Sequence, residues 1–175
     1  MHNANRTVSS ATLLIIATAF CGFSGIARQV PQNLQPPAGE QLLLQVHANG
    51  DQVYTCKADG GQFSWTLKEP DAQLFDKDGK PFGKHFAGPS WEASDGSRIT
   101  GKAAANAPSP DADSIPWLLV KVVSHSGAGV LVPVTSLQRI NTKGGKAPAS
   151  GCDATHVGQE IRVPYSADYA FFAPK

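Results

Sequence analysis

The sequence has no segment in which Lys and Arg are concentrated, and its charges nearly cancel. It carries 15 Lys and Arg against 14 Asp and Glu, a formal net charge of +1 at pH 7. Proteins that bind nucleic acid gain much of their affinity by neutralising phosphates with basic side chains. The even charge balance therefore argues against a nucleic-acid partner and against attachment to an anionic membrane surface.

Several motifs that indicate enzymatic or cofactor chemistry are also missing. The chain has no Gly-x-Ser-x-Gly motif and no Cys-x-x-Cys pair, and residues 144–146 lack the spacing of a phosphate-binding loop. Residues 76–79 resemble the start of a calcium-binding loop but lack its later ligands. Four histidines show no close ligand spacing: His47, His85, His125 and His156. We predict no metal site and no cofactor, although strands can bring distant ligands together.

Long apolar runs are absent except for one near the N terminus. Residues 13–23 are largely apolar and follow a segment with one Arg and no acid. The run is shorter than the ~20 residues that a bilayer requires and is typical of a secretory signal peptide. Gly25 and Ala27 then provide small residues at positions −3 and −1 of a cleavage site before Arg28.

We therefore predict a signal peptide over residues 1–27, cleaved between Gly22 and Arg28, and an exported protein in the periplasm or the medium. An uncleaved membrane anchor is the alternative. A lipid on Cys21 is disfavoured because Phe20 precedes it, where bacterial lipoprotein signals have a small residue. Cleavage leaves 14 basic and 14 acidic residues, and no membrane insertion is expected afterwards.

Only three cysteines are present, and the predicted cleavage leaves Cys56 and Cys152. An even number of cysteines in an exported chain indicates a disulfide. We predict a bond between Cys56 and Cys152, with two separate free thiols as the alternative.

Helical periodicity is missing beyond about two turns after the apolar run. Apolar segments separated by turn-forming residues recur at roughly 8–12-residue spacing instead, which is typical of a β-sandwich or barrel. We predict an all-β fold, an antiparallel sandwich or barrel-like domain with long loops and little helix. It spans residues 38–173 as a single domain and follows an extended, Pro-rich lead-in over residues 28–37.

Turn signals divide this domain into hairpins. Asn-Gly and Asp-Gly dipeptides between β-rich runs are strong hairpin signals, because a type I′ turn needs positive φ at two residues. They predict reversals at Asn49-Gly50, Asp78-Gly79 and Asp95-Gly96. The first reversal would place Gln52 on the face opposite to Val46.

Two further segments have distinctive apolar patterns. Phe63, Trp65 and Leu67 alternate with polar residues and are expected to point inward. Residues 115–123 are apolar on both faces, which favours a central strand, and residues 130–140 form the next strand candidate, interrupted by Pro133.

Several segments are distinctive together: Tyr-Thr-Cys-Lys at 54–57, Trp-Thr-Leu-Lys at 65–68, residues 70–76, 83–92, 95–97, 109–113 and 115–119, Gly-Cys-Asp at 151–153 and Arg-Val-Pro-Tyr at 162–165. They resemble a family of exported bacterial and fungal proteins catalogued as domain of unknown function 3455. The resemblance covers nearly all of the predicted mature chain. It implies export and a β-rich fold, and it implies no activity and no catalytic residue.

Polar and aromatic residues that turns and core do not explain are concentrated in residues 83–97. We predict ligand-binding roles for Lys84, His85, Trp91 and Glu92. A two-residue turn at Gly88-Pro89 would place His85 opposite Glu92, whose carboxylate would orient or charge the imidazole. Trp91 would then face the other side, and the alternative is a structural cross-strand pair.

The leading hypothesis for function is a non-enzymatic, secreted or periplasmic module that binds a small molecule, a glycan or an envelope component. A hydrolase-type enzyme with a carboxylate–His site near His85 and Glu92 is the first alternative. A structural envelope protein is the second. The sequence leaves open the ligand, the catalytic residues if there are any, and the oligomeric state.

Overall fold

The computed structural model describes Met1 and residues 29–175, so the predicted signal peptide lies outside the described residues except for Met1. Eight strands follow one another along the chain: β1 (Glu40–Asp59), β2 (Gln62–Phe75), β3 (Pro81–Phe86), β4 (Ser90–Ala93), β5 (Arg98–Ala107), β6 (Trp117–Ser126), β7 (Ser136–Gly144) and β8 (Glu160–Pro174). Among the described residues, no helix has the length and apolar character to cross a membrane.

The strands form one closed antiparallel barrel. Each strand pairs with its neighbour in the sequence, and β8 returns to pair with β1 over nearly the full length of both strands. The predicted all-β fold is confirmed. Closure leaves no sheet edge along β1 and β8, and eight strands enclose an interior that side chains can fill or that can hold one small ligand.

The barrel interior contains the main core. Alternate residues along each strand point inward, so apolar side chains from most strands meet there. The largest fully buried members are Trp91, Tyr169, Phe171, Leu74, Ile99, Leu131 and Leu137. Leu131 and Val134 belong to the β6–β7 loop and are completely buried, so this loop closes one end of the barrel.

The lead-in packs on the outside of the barrel. It forms a turn of 3₁₀ helix at Gln32–Leu34 rather than a fully extended segment, and Leu34 is completely buried against Trp117 and Ala107. The side-chain amide of Gln138 donates a hydrogen bond to the Leu34 carbonyl at 2.6 Å. This packing explains why the start of β6 is apolar on both faces, whereas Val123 near its end is 60% exposed.

The predicted reversal at Asn49-Gly50 is wrong. Strand β1 runs straight through this dipeptide. A Cβ on Gly50 would lie 2.2 Å from the Asp71 carbonyl oxygen, so glycine is needed here for the close approach of β2 rather than for a turn. The chain reverses instead at Gly60 and Gly61, whose φ angles of 55° and 83° satisfy the tight turn.

The reversals predicted at Asp78-Gly79 and Asp95-Gly96 are confirmed, since they connect β2 to β3 and β4 to β5. The strand predicted over residues 130–140 begins only at Ser136. Residues 130–135 form the buried loop that closes the barrel, where Pro133 has no backbone N–H to contribute to a ladder.

The inward burial predicted for the start of β2 is also wrong. Leu67 pairs with the buried Tyr54 and therefore faces the same side, but Phe63 and Leu67 are 38% and 50% exposed. The cause is that β3 pairs with β2 only from Ala72 onward, so the β1–β2 hairpin extends beyond the closed part of the barrel. The alternation of apolar and polar residues predicted correctly which face of β2 these side chains occupy, but not how deeply they are buried.

The predicted disulfide between Cys56 and Cys152 is confirmed, with Cα atoms 5.4 Å apart. It joins the end of β1 to the long β7–β8 loop. Trp65 supports the same loop, because its indole N–H donates to the Ser150 carbonyl at 2.9 Å.

Candidate functional site

The end of the barrel opposite the β6–β7 loop contains a cavity of about 360 Å³. Every strand contributes to its lining: Gln52, residues 67–70, His85, Trp91, Ala103, Leu118, Val120, Arg139 and Tyr169, together with Gly88 and Pro89 of the β3–β4 turn. This volume corresponds to about a dozen water molecules. It lies within the range of small-molecule sites, which often occupy the mouths of barrels.

Gly101 in β5 makes room for the largest ring of the cavity lining. A Cβ on Gly101 would be 2.4 Å from a Val120 methyl carbon and 3.2 Å from the Trp91 ring. Glycine in β5 therefore lets the Trp91 indole lie close to the barrel wall.

Three aromatic rings form the inner wall of the cavity. The rings of His85 and Trp91 stack with centroids 4.3 Å apart and planes inclined by 10°. Tyr169 meets both edge-on, at 5.1 and 5.5 Å. All three residues are no more than 3% exposed, so their positions are fixed by packing.

His85 is held in one neutral form. Its Nδ1 lies 2.8 Å from the Ser90 carbonyl oxygen, which can only accept, so Nδ1 carries the proton and donates. Burial lowers the pKa of His85 to about 3 against the effect of this hydrogen bond, and the nearby Arg139 charge lowers it further. In the neutral ring Nε2 is an acceptor, and no hydrogen bond engages it within the described residues.

Several buried polar atoms of the barrel interior have no hydrogen-bond partner in the described part of the chain, and three of them belong to residues that line the cavity. They are Gln52 Nε2, Trp91 Nε1 and the hydroxyls of Tyr165 and Tyr169; the fifth such atom, Trp117 Nε1, lies outside the barrel core. An unpartnered buried group costs about 1–3 kcal/mol, and native proteins satisfy nearly all of theirs. Four in one barrel interior are therefore a concentrated departure from the norm.

The two tyrosines are neutral donors at physiological pH. Burial raises the pKa of Tyr169 and of Tyr165, and the Arg139 charge opposes this without cancelling it. The Arg139 guanidinium lies close enough to both phenols to affect their pKa, although no hydrogen bond of ordinary geometry joins these groups.

Arg139 brings a positive charge to the cavity. Its Nε and one Nη donate to the Pro116 carbonyl at 3.2 and 2.8 Å, and no carboxylate in the described residues forms an ion pair with it. The other charges of the lining compensate each other, since Lys68 lies 3.7 Å from Glu69 and 2.8 Å from Glu160. Within the described residues, no group of three or more His, Cys, Asp and Glu is arranged to hold a metal.

The predicted pairing of His85 with Glu92 is wrong. The β3–β4 connection has three residues, so Phe86 pairs with Ser90, His85 with Trp91 and Lys84 with Glu92. The fixed φ of Pro89 suits a two-residue type I′ turn badly, and the extra loop residue shifts the register by one. A shift of one residue moves a side chain to the other face of the sheet.

The four predicted ligand-binding residues therefore separate into two pairs. His85 and Trp91 lie together inside the barrel and line the cavity. Lys84 and Glu92 pair on the outer face and do not line it. A ligand-binding role remains a prediction for all four residues, and only the inner pair lines this cavity.

The cavity residues that the sequence analysis missed include Gln52, Arg139 and Tyr169. Gln52 was assigned to the outer face because of the false turn at Asn49-Gly50. In a continuous strand it follows the inward series of Val46 and Ala48 and is 2% exposed. A polar residue within an otherwise apolar, inward-facing series is the signal that could have identified Gln52 as part of the barrel interior.

The fold and the cavity place this protein among the closed eight-stranded antiparallel barrels that enclose an internal cavity. Residues 37–173 match the family described as "Protein of unknown function (DUF3455)", and the chain belongs to that family, as the sequence motifs suggested. No curated protein matches the chain. No solved structure matches it either.

Proposed function

We propose that this protein is an exported, non-enzymatic barrel that binds a small molecule in the open end of its interior. The observation that carries the proposal is the open cavity of about 360 Å³ at one end of the closed barrel, lined by the buried rings of His85, Trp91 and Tyr169. A volume and a lining of this kind are typical of small-molecule sites in barrels.

Binding rather than catalysis is favoured by the chemistry of the lining. With a pKa of about 3, His85 is a poor proton acceptor near neutral pH, because general bases work best with a pKa near the working pH. Among the described residues of the lining, the only carboxylate is Glu69, which lies at the rim beside Lys68. The cavity therefore offers hydrogen bonds and aromatic surface but no positioned acid–base pair.

A thermal-shift screen with a matched pair of variants tests this proposal. A small molecule at a hundred times its Kd stabilises the native state by about 2.7 kcal/mol, which raises Tm by roughly 5–10 °C for a chain of this size. Ala103→Trp places a large side chain in the cavity lining and should abolish the shift. Lys102→Trp, on the exposed outer face of the same strand, should retain it.

Two outcomes would contradict the proposal. One is a broad set of small aromatic, polar and charged compounds that produces no shift at all. The other is a compound that shifts Tm equally in the unaltered protein and in Ala103→Trp.

Export is supported by the predicted signal peptide and by the Cys56–Cys152 disulfide, since disulfides persist in oxidising compartments. Mass spectrometry of the protein isolated from its producing cells should find the first residue between Gly22 and Arg28. Intact Met1 on a membrane-bound protein would contradict export as a cleaved, soluble product.

A further inference from the structure

We infer that the cavity takes a planar organic anion, in which a carboxylate is attached to an aromatic ring. This inference rests on the proposed small-molecule function and specifies its ligand class. It is drawn from the charge and the shape of the lining.

The charge of the lining points to an anionic ligand. Arg139 is the cation of the cavity that no carboxylate of the described residues neutralises, whereas Lys68 is paired twice. Its two hydrogen bonds to the Pro116 carbonyl use two of five N–H donors. A guanidinium binds a carboxylate in a forked geometry with strong, charge-assisted hydrogen bonds.

The shape of the lining favours a flat ligand. His85 and Trp91 stack as one flat surface, and Tyr169 stands at an angle to both. Aromatic rings pack well in offset-stacked and edge-to-face arrangements, and this corner offers both. A volume of about 360 Å³ accommodates one or two fused rings with a short acidic side chain.

Three probes that share a ring and differ in charge test the inference: indole-3-acetate, indole-3-acetamide and tryptamine, repeated with the corresponding naphthalene series. Isothermal titration should give the carboxylate a Kd at least about tenfold lower than the amide, with the amine weakest. Binding of the carboxylate should weaken as ionic strength rises, because added ions screen the Arg139 charge.

Variants of Arg139 supply the second readout. Arg139→Gln should weaken the carboxylate about tenfold to a hundredfold and change amide binding less than about threefold. Arg139→Lys should restore part of the preference. Arg162→Gln is the matched control, because it removes the same charge from the outer surface, where Arg162 pairs with Asp51 and Asp71.

Equal affinity for the carboxylate and the amide, or an unchanged carboxylate Kd in Arg139→Gln, would overturn the inference and leave the proposed function standing. A salt-independent carboxylate Kd in the unaltered protein would overturn it even if Arg139→Gln failed to fold. Absence of binding by every probe of both series, with no other compound shifting Tm, would instead count against the proposed function itself.

Discussion

The two ends of the barrel treat their polar groups in opposite ways. At the closed end, the Asp95 carboxylate accepts hydrogen bonds from the Ser97 N–H at 2.9 Å, the Ser97 hydroxyl at 2.6 Å and the Val130 N–H at 2.7 Å. At the open end, the polar atoms of Gln52, Trp91 and Tyr169 have no partner among the described residues. Among the described residues, the unpartnered buried polar atoms of the barrel interior thus lie on the side of the open end.

This difference supports the proposed division, in which the closed end serves the fold and the open end binds a ligand. Natural proteins depart from complete polar satisfaction mainly at functional sites, where stability is given up for binding. The comparison makes definite predictions, because changes at the closed end should cost stability and changes at the unpartnered atoms should not.

Loss of the disulfide should have the largest effect on stability. Cys56 and Cys152 are 96 residues apart in sequence, and a crosslink of that span contributes about 4–5 kcal/mol in the chain-entropy model. Denaturant unfolding of the double variant Cys56→Ser and Cys152→Ser, with and without reductant, measures this. A reductant effect as large in the double variant as in the unaltered protein would contradict the assignment.

Leu131→Ala should cause the next largest loss of stability. Leu131 is completely buried at the closed end, and truncation of a buried leucine costs about 2–5 kcal/mol through lost burial and a residual cavity. Val132→Ala is the control, because Val132 in the same loop is 48% exposed and should cost little. Similar losses in the two variants would show that the β6–β7 loop does not close the barrel.

Much of the fold was accessible from local sequence. Gly79 and Gly96 both adopt positive φ in Asp-Gly turns, and the two remaining cysteines pair. These features depend on a few adjacent residues or on a simple count. The all-β class followed from the spacing of apolar segments and turn-forming residues along the chain.

The cavity was less accessible because it depends on register and on long-range approach. The Asn-Gly dipeptide at 49–50 has a turn composition, yet Gly50 is required by the backbone of β2, which no local pattern reveals. One extra residue in the loop before Ser90 placed His85 beside Trp91 instead of Glu92. Arg139 lines the same cavity from β7. Periodicity within one strand does not reveal which residues of distant strands come together.

Acid should weaken the closed end through Asp95. Hydrogen bonds from Ser97, and then from the Val130 N–H, lower the pKa of Asp95 in the folded state. A lowered folded pKa means that the stabilisation is present above the unfolded pKa of about 3.9 and is lost as pH falls through the folded value. Unfolding curves between pH 6 and pH 2 should therefore show a smaller acid-induced loss in Asp95→Asn, and an unchanged loss in a control variant of the exposed Asp59.

The smallest changes test the comparison most directly, because Tyr54 and Tyr169 are both buried and only the Tyr54 hydroxyl has a partner among the described residues. The Tyr54 hydroxyl donates to the Gly145 carbonyl at 2.6 Å, whereas the Tyr169 hydroxyl has no partner in the described residues. Measured unfolding free energies should fall by about 0.5–1.5 kcal/mol for Tyr54→Phe and stay unchanged or rise for Tyr169→Phe. Equal losses in the two variants would contradict the claim that the open end of the barrel is built for a ligand rather than for the fold.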